Sequence, residues 1–204
     1  MKAYHHGNLH AELITHGFAL LETTGDGNIS LRELARHVGV TPNAVYRHFA
    51  DKEALLVALA AEGFRRLAHA QRGAVGTRRF DAGTALRSAG RAYVSFATGN
   101  PALFRLMFGR FTATHRSAEL MEAYAATEQL LRGFVSSALP PDASERAVTA
   151  AAVHAWALVH GLSSLALDGQ LQSMSEHIDQ LVDAVLEHAS LSLVPLRVKK
   201  PVRP

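Results

Sequence analysis

Ser30-Leu31-Arg32-Glu33-Leu34-Ala35-Arg36-His37-Val38-Gly39-Val40-Thr41-Pro42-Asn43-Ala44-Val45-Tyr46-Arg47-His48-Phe49 is the stretch on which the fold turns. It carries two short helical patterns around one glycine. In the first, Ser30 stands at a cap position and Glu33 follows three residues later, the spacing of a capping box. Leu31, Leu34, Ala35 and Val38 recur at helical spacing and form a stripe that would be buried. Gly39 interrupts the pattern, because glycine takes a left-handed backbone without strain. Thr41 then caps a second helix, with Pro42 at its first position, where a missing N–H costs nothing. Val45 and Phe49, four residues apart, make the inner pair of that helix. Thr41, Asn43, Ala44, Arg47 and part of Tyr46 are left facing outward.

Two short helices joined by a tight glycine-containing turn are the helix-turn-helix signature. Its second helix enters the major groove of DNA with its N-terminal residues against base edges. The outward side chains suit that task. Asn43 can pair bidentately with adenine, Arg47 with guanine or a phosphate, and Ala44 offers a methyl for thymine. Tyr46, His48 and Lys52 can donate to phosphates. The helix beginning at Ser30 also points backbone N–H groups at a phosphate. An ordinary pair of packed helices would share the spacing. The caps, the glycine turn and the polar outer face together favour DNA.

Outward from this core the pattern stays helical. A first helix is expected from about Asn8, its N-cap, to Glu22, with Leu9, Leu13, Ile14, Phe18 and Leu21 on one face. Thr24 to Asn28, with two glycines, ends it. Asp51 caps a fourth helix reaching about Arg72, with Leu55, Leu56, Leu59 and Phe64 as its apolar positions. Gly73 to Arg79 reads as a linker. Further helices are expected at about 81–98, 101–108, 115–138, 143–167 and 174–190, with Asn100-Pro101 and Pro140-Pro141 as breaks. Strand-like alternation is absent. The expectation is an all-α chain of about nine helices. Residues 1–50 would form a helix-turn-helix domain, 51–72 a connecting helix and 73–192 a helical regulatory and dimerisation domain. Residues 193–204 would form a basic, proline-containing tail expected to be disordered.

The 204 residues are 48% hydrophobic, enough for a real core, and 19% charged. With no cysteine there are no disulfides and no thiolate metal sites, and a cytoplasmic setting is expected. Met1 to Gly7 lacks the apolar segment of a signal peptide. No run of 18 apolar residues suggests a membrane helix. Net charge is only +3. Residues 1–72 hold eight Lys or Arg against seven Asp or Glu, so a polybasic, sequence-blind nucleic-acid binder is disfavoured.

At this point residues 4–70 resemble the DNA-binding domain of TetR-family regulators. The resemblance rests on Leu31 to Val40, on Ala44-Val45-Tyr46-Arg47-His48-Phe49 and on Asp51-Lys52-Glu53-Ala54-Leu55-Leu56. Tyr4-His5-His6-Gly7-Asn8-Leu9 is similar to the branch with a Trp-His-Gly-type C-terminal domain. His154-Ala155-Trp156-Ala157-Leu158-Val159-His160-Gly161-Leu162 looks like the matching stretch. The resemblance implies a three-helix DNA-binding domain, a long fourth helix, a helical regulatory domain and a homodimer. It places Tyr46, His48 and Lys52 at phosphate-contacting positions and Thr41, Pro42, Asn43 and Ala44 at base-facing ones.

The C-terminal half offers candidates for a ligand pocket, which needs apolar lining and a few polar handles. Tyr93, Phe96, Phe104, Met107, Phe108 and Phe111 crowd one stretch. Trp156 and His160, and Tyr124 and Glu128, are i,i+4 pairs. The same residues would serve a plain core. A small hydrophobic or aromatic effector is expected. The dimer face is expected on the last two long helices. Leu158, Leu162, Leu165 and Ala166 form one stripe, and Leu181, Val182, Val185, Leu186 and Ala189 another. The family resemblance implies a four-helix bundle there. A two-fold dimer would double the few contacts one helix-turn-helix makes.

Other functions find little support. His6 and His10 share helical spacing but lack a carboxylate or cysteine companion, so no metal site is expected. No cofactor motif, nucleophile elbow or P-loop is present, and catalysis is not expected. The reading is a ligand-released repressor that binds a palindromic operator as a homodimer. The alternatives are an all-helical ligand-binding protein, an activator, or a DNA-organising protein without effector.

Overall fold

A computed structural model describes residues 9–25, 29–76 and 81–193, with side chains as far as Ala189. Among the described residues the chain is helical, without strands. The order is α1 (Leu9–Thr24), α2 (Leu31–Val38), α3 (Pro42–Tyr46), α4 (Lys52–Val75) and α5 (Ala82–Gly99). There follow α6 (Pro101–Phe108), α7 (Arg110–Thr114), α8 (Ala118–Ala138), α9 (Glu145–Leu167) and α10 (Ile178–Leu193), with a 3₁₀ turn at Leu171–Ser173 before the last. The nine expected helices are all there, and α7 is a short addition.

Two compact units result. One comprises Met1–Ala68 with Phe96–Thr127, the other His69–Ser95 with Glu128–Pro204, so the boundary falls within α4, α5 and α8. In the first unit Leu13, Leu21, Leu34, Leu55, Leu59, Leu103 and Met107 are fully buried. Small residues set the approach distances. A Cβ at Gly17 would lie 3.0 Å from Leu59 Cδ2, and one at Gly63 would lie 2.6 Å from Met107 Sδ. Glu22 of α1 closes the N-terminus of α6: its carboxylate accepts the Ala102 N–H at 3.2 Å and the Leu103 N–H at 3.0 Å. Two otherwise orphan helix donors are thereby satisfied.

In the second unit the alanine-rich face of α9 (Ala151, Ala152, Ala155) packs on Val135 of α8, with Leu86, Leu131 and Leu139 around it. Gly90 of α5 admits Leu186 and Val159, each 3.3 Å from where its Cβ would be. Buried Ser163 donates to the Val159 carbonyl at 2.7 Å, so its hydroxyl carries no desolvation penalty. By length and composition α9 could cross a bilayer, an exception to the sequence expectation. Its alanine face is used here for packing within the unit.

Several local details differ from the sequence reading. Ser30 holds the N-cap position with extended backbone, but its side chain makes no capping bond. Glu33 does not complete a capping box, and its carboxylate lies 3.5 Å from Arg36 instead. The α-helical part of α3 stops at Tyr46, with Phe49 reached through turn bonds to the Val45 carbonyl. Helix α4 runs on to Val75, so Gly73 lies inside it. One glycine costs about 1 kcal/mol, too little to end a long helix. Gly76, at φ +59, follows the last turn. Asn8, Asp26 to Asn28, residues 77–80 and the tail from 194 lie outside the described residues, and so do His6 and the opening Tyr4 to Gly7 motif.

The turn at Gly39 forms as expected. Gly39 has φ +77 and closes a Schellman motif: Val40 N–H donates to the Ala35 carbonyl at 2.9 Å, and Gly39 N–H to Arg36 at 3.3 Å. No heavy atom lies within 4 Å of where its Cβ would be, so only backbone strain opposes a substitution. Gly39→Ala is expected to lose about 1–2 kcal/mol, the cost of a left-handed L-residue. A lowered urea midpoint with an unchanged slope would report it.

Candidate nucleic-acid interface

The outer surface of α3 is built from its caps and its inner pair. Thr41 Oγ1 accepts the Ala44 N–H at 3.3 Å, and Pro42 occupies the first turn. Val45 and Phe49 are 0% and 3% exposed, which fixes the rotation of the helix. Thr41, Pro42, Asn43, Tyr46, Arg47 and His48 are consequently exposed, and Ala44 is half-buried. An open groove of about 600 Å³ brings Thr41, Ala44, Arg47 and His48 together, with Leu9, Gly39 and Val40. Asn43 and Tyr46 stand on the same short helix without lining that groove.

Ser30 is exposed just before α2, and Lys52 is exposed on the first turn of α4. Asp51 Oδ1 accepts the Ala54 N–H at 2.8 Å and caps α4 as expected. Lys52 lines a separate cavity rather than the α3 groove. From Thr41 to His48 there is no acidic residue, so nothing local repels a phosphate. One neighbour escaped the sequence reading. His10 of α1 places its ring 5.9 Å from that of His48 and 5.3 Å from that of Phe49. The contact bridges residues far apart in the chain, and no local spacing signals it.

The candidate pocket residues divide between the units. In the first, Phe104 and Met107 are buried and Phe108 half-buried. Phe64 meets Phe108 and Tyr124 edge to face, at 5.3 Å and 5.4 Å between ring centroids. These are favourable packing geometries. Phe96 is also buried, and Phe111 stacks on His115 at 4.2 Å. In the second unit, Trp156 lies against His160, and the Tyr93 hydroxyl is 3.0 Å from His160 Nδ1. Glu128 is exposed.

A half-open cleft of the second unit is small, about 40 Å³, and Leu86, Phe134, Val159 and Ala189 are among the residues that line it. Leu158 and Leu186, expected at a dimer face, line it too. Leu162, Val182 and Leu186 are buried within the single chain. Leu158, Leu181 and Val185 are half-buried, and Leu165 is 39% exposed.

Burial holds the His160 imidazolium below its ordinary pKa of 6.5, so the ring is neutral in the fold at neutral pH. The sign follows from linkage. The unfolded ring takes its proton first as pH falls, so the stabilisation is present above about pH 6.5 and is lost as pH drops through the lower folded value. The melting temperature is therefore expected to decline below about pH 6.5, and His160→Gln should flatten that part of the profile. An unchanged profile in the variant would contradict this assignment.

Residues 13–59 match the family described as bacterial regulatory proteins, tetR family. Residues 86–189 match the tetracyclin repressor-like C-terminal domain and include the His154–Leu162 stretch. A solved structure of a protein of unknown function from Rhodococcus sp. RHA1 is 34% identical, with a TM-score of 0.80, over 95% of this chain and 100% of that one. A helix-turn-helix transcriptional regulator from Haemophilus influenzae, itself uncharacterised, is 33% identical over 91 residues, or 44% of this chain. The chain spans less than half of that relative, 43% of its length. A TetR variant from Acinetobacter baumannii in complex with minocycline shares the fold at 19% identity and a TM-score of 0.57, over 93% of this chain and 96% of that one. The chain therefore belongs to the TetR family of bacterial transcriptional regulators.

Proposed function

We propose that this protein is a ligand-released repressor that binds a palindromic operator as a homodimer in the cytoplasm and carries no catalytic activity. The observation that carries the DNA half is the outer face of α3. Buried Val45 and Phe49 leave Thr41, Asn43, Tyr46, Arg47 and His48 exposed on one short helix. Asn43, Arg47 and Ala44 would read base edges, with Thr41 and Pro42 beside them. Tyr46, His48, Lys52 and the helix start at Ser30 would hold the backbone. In this reading residues 1–50 form the reading head, 51–72 connect, and 73–192 sense the ligand and dimerise.

Dimerisation is supported by apolar residues of α9 and α10 that remain partly open, namely Leu158, Leu165, Leu181 and Val185. Ligand release is supported by the fold shared with the minocycline-bound relative. The effector would be a small hydrophobic or aromatic molecule, and within the second unit it would meet Tyr93, Trp156 and His160. The 40 Å³ cleft lined by Leu158 and Leu186 has room for only a few waters, so a sensing pocket there would have to open on binding.

A mobility shift with the DNA upstream of the protein's own gene tests the reading, with scrambled DNA of equal length as control. Retardation of the upstream DNA alone, as a dimer complex, is expected. Equal affinity for both DNAs, with a steep salt dependence, would contradict sequence-specific repression.

A further inference from the structure

A second, half-open cavity of the first unit lies away from α3. It lies between α1, the start of α4 and the α6–α7 junction, and measures about 420 Å³. That falls within the range of small-molecule sites, roughly 300–1,000 Å³. Its floor is apolar: Leu21, Leu56 and Leu106 are all buried. Its rim carries Lys52, Arg105 and Arg110, all exposed, together with Glu53, while the Glu22 carboxylate is engaged by the N–H groups of Ala102 and Leu103. The Glu53 carboxylate lies 3.4 Å from His115 Nε2.

One wall of this space is tied in advance. Glu22 ties α1 to the first turn of α6. A preformed site spends little of its binding energy on ordering.

We propose that this cavity binds a small organic carboxylate, with the apolar body on the leucine floor and the carboxylate among Arg105, Arg110 and Lys52. Guanidinium groups match carboxylates in geometry, and leucines supply nothing for an inorganic anion. The assignment goes beyond DNA reading and does not depend on it. Because Lys52 also serves the proposed phosphate contact, a bound carboxylate and the DNA backbone would compete for its ammonium group.

Calorimetric titration of the full-length protein without DNA tests this, so failure of the repressor reading and failure of this site are distinguishable. The probe is benzoate, compared with benzamide and inorganic phosphate. Benzoate is expected to bind with a Kd of about 1 mM or tighter. Benzamide and phosphate should bind on the order of tenfold more weakly, as should benzoate to R105A/R110A, the double variant. Both arginines are exposed, and the circular dichroism melt verifies the variant's fold. Should the double variant not fold, Arg110→Gln alone must show the loss. Absence of benzoate binding, equal binding of benzamide or phosphate, or unchanged binding by the variants would overturn the proposal.

Discussion

Leu59→Ala is expected to lower the stability of the protein by about 2–5 kcal/mol, the range for truncating a buried leucine. Leu59 is 0% exposed, and its Cδ2 lies 3.0 Å from the place a Gly17 Cβ would take. Neither helix can close the resulting void easily. Gly17 has no side chain to move in, and Leu13, Leu21 and Leu55 are themselves fully buried. Against a total stability of about 5–15 kcal/mol, such a loss is a large fraction. Thermal unfolding followed by circular dichroism reads it directly. A melting temperature within a degree or two of the wild type would mean that the α1–α4 contact is not a packed core.

The same contact explains what the sequence could and could not reveal. Leu13, Leu55 and Leu59 are legible as buried, because helical spacing fixes which face is apolar. Gly39, Thr41, Pro42 and Asp51 are legible as turn and caps, because each has one strong local preference. Spacing does not say what lies opposite a face. Leu162, Val182 and Leu186 form regular stripes on α9 and α10, yet they are buried within their own chain. Phe104, Phe108 and Tyr124 are candidates for pocket lining by sequence, yet Phe108 and Tyr124 meet Phe64 edge to face and Phe104 packs tilted on Phe108. The contact between His10 and His48, the Glu22 cap on α6 and the cavity bounded by Lys52, Arg105 and Arg110 join residues remote in the chain. No local rule reports them. The break after Phe108 falls where the spacing puts it, but the short α7 that follows carries too few residues for a periodic pattern to announce it.

Replacing Asn43 and Arg47 with alanine is expected to weaken operator binding by the largest factor of any surface change. Each well-placed bidentate contact is worth about 1–3 kcal/mol of base discrimination. A two-fold dimer loses every contact twice, so removing even one pair of equivalent contacts costs about 2–6 kcal/mol, or roughly 30-fold to 10⁴-fold in affinity. Both side chains are exposed, while Val45 and Phe49 hold the helix from within, so folding should be unaffected. Lys52→Ala with Tyr46→Ala should behave differently. It should weaken binding to all sequences alike, and the slope of log affinity against log salt should fall by about one for each lysine lost. Fluorescence anisotropy at several salt concentrations separates the two patterns. If both pairs of variants lost affinity uniformly across sequences, α3 would be gripping the backbone rather than reading bases.

The central claim is that the outer face of α3 reads the major groove of a two-fold operator. Methylation protection on the upstream DNA addresses it most directly, because guanine N7 lies on the major-groove edge. The wild-type protein should protect two symmetric clusters of guanines, about 10–10.5 base pairs apart centre to centre or a multiple of that. Arg47→Ala should lose one protected guanine per cluster and keep the rest. Uniform or absent protection, or a pattern that Arg47→Ala leaves unchanged, would contradict the account.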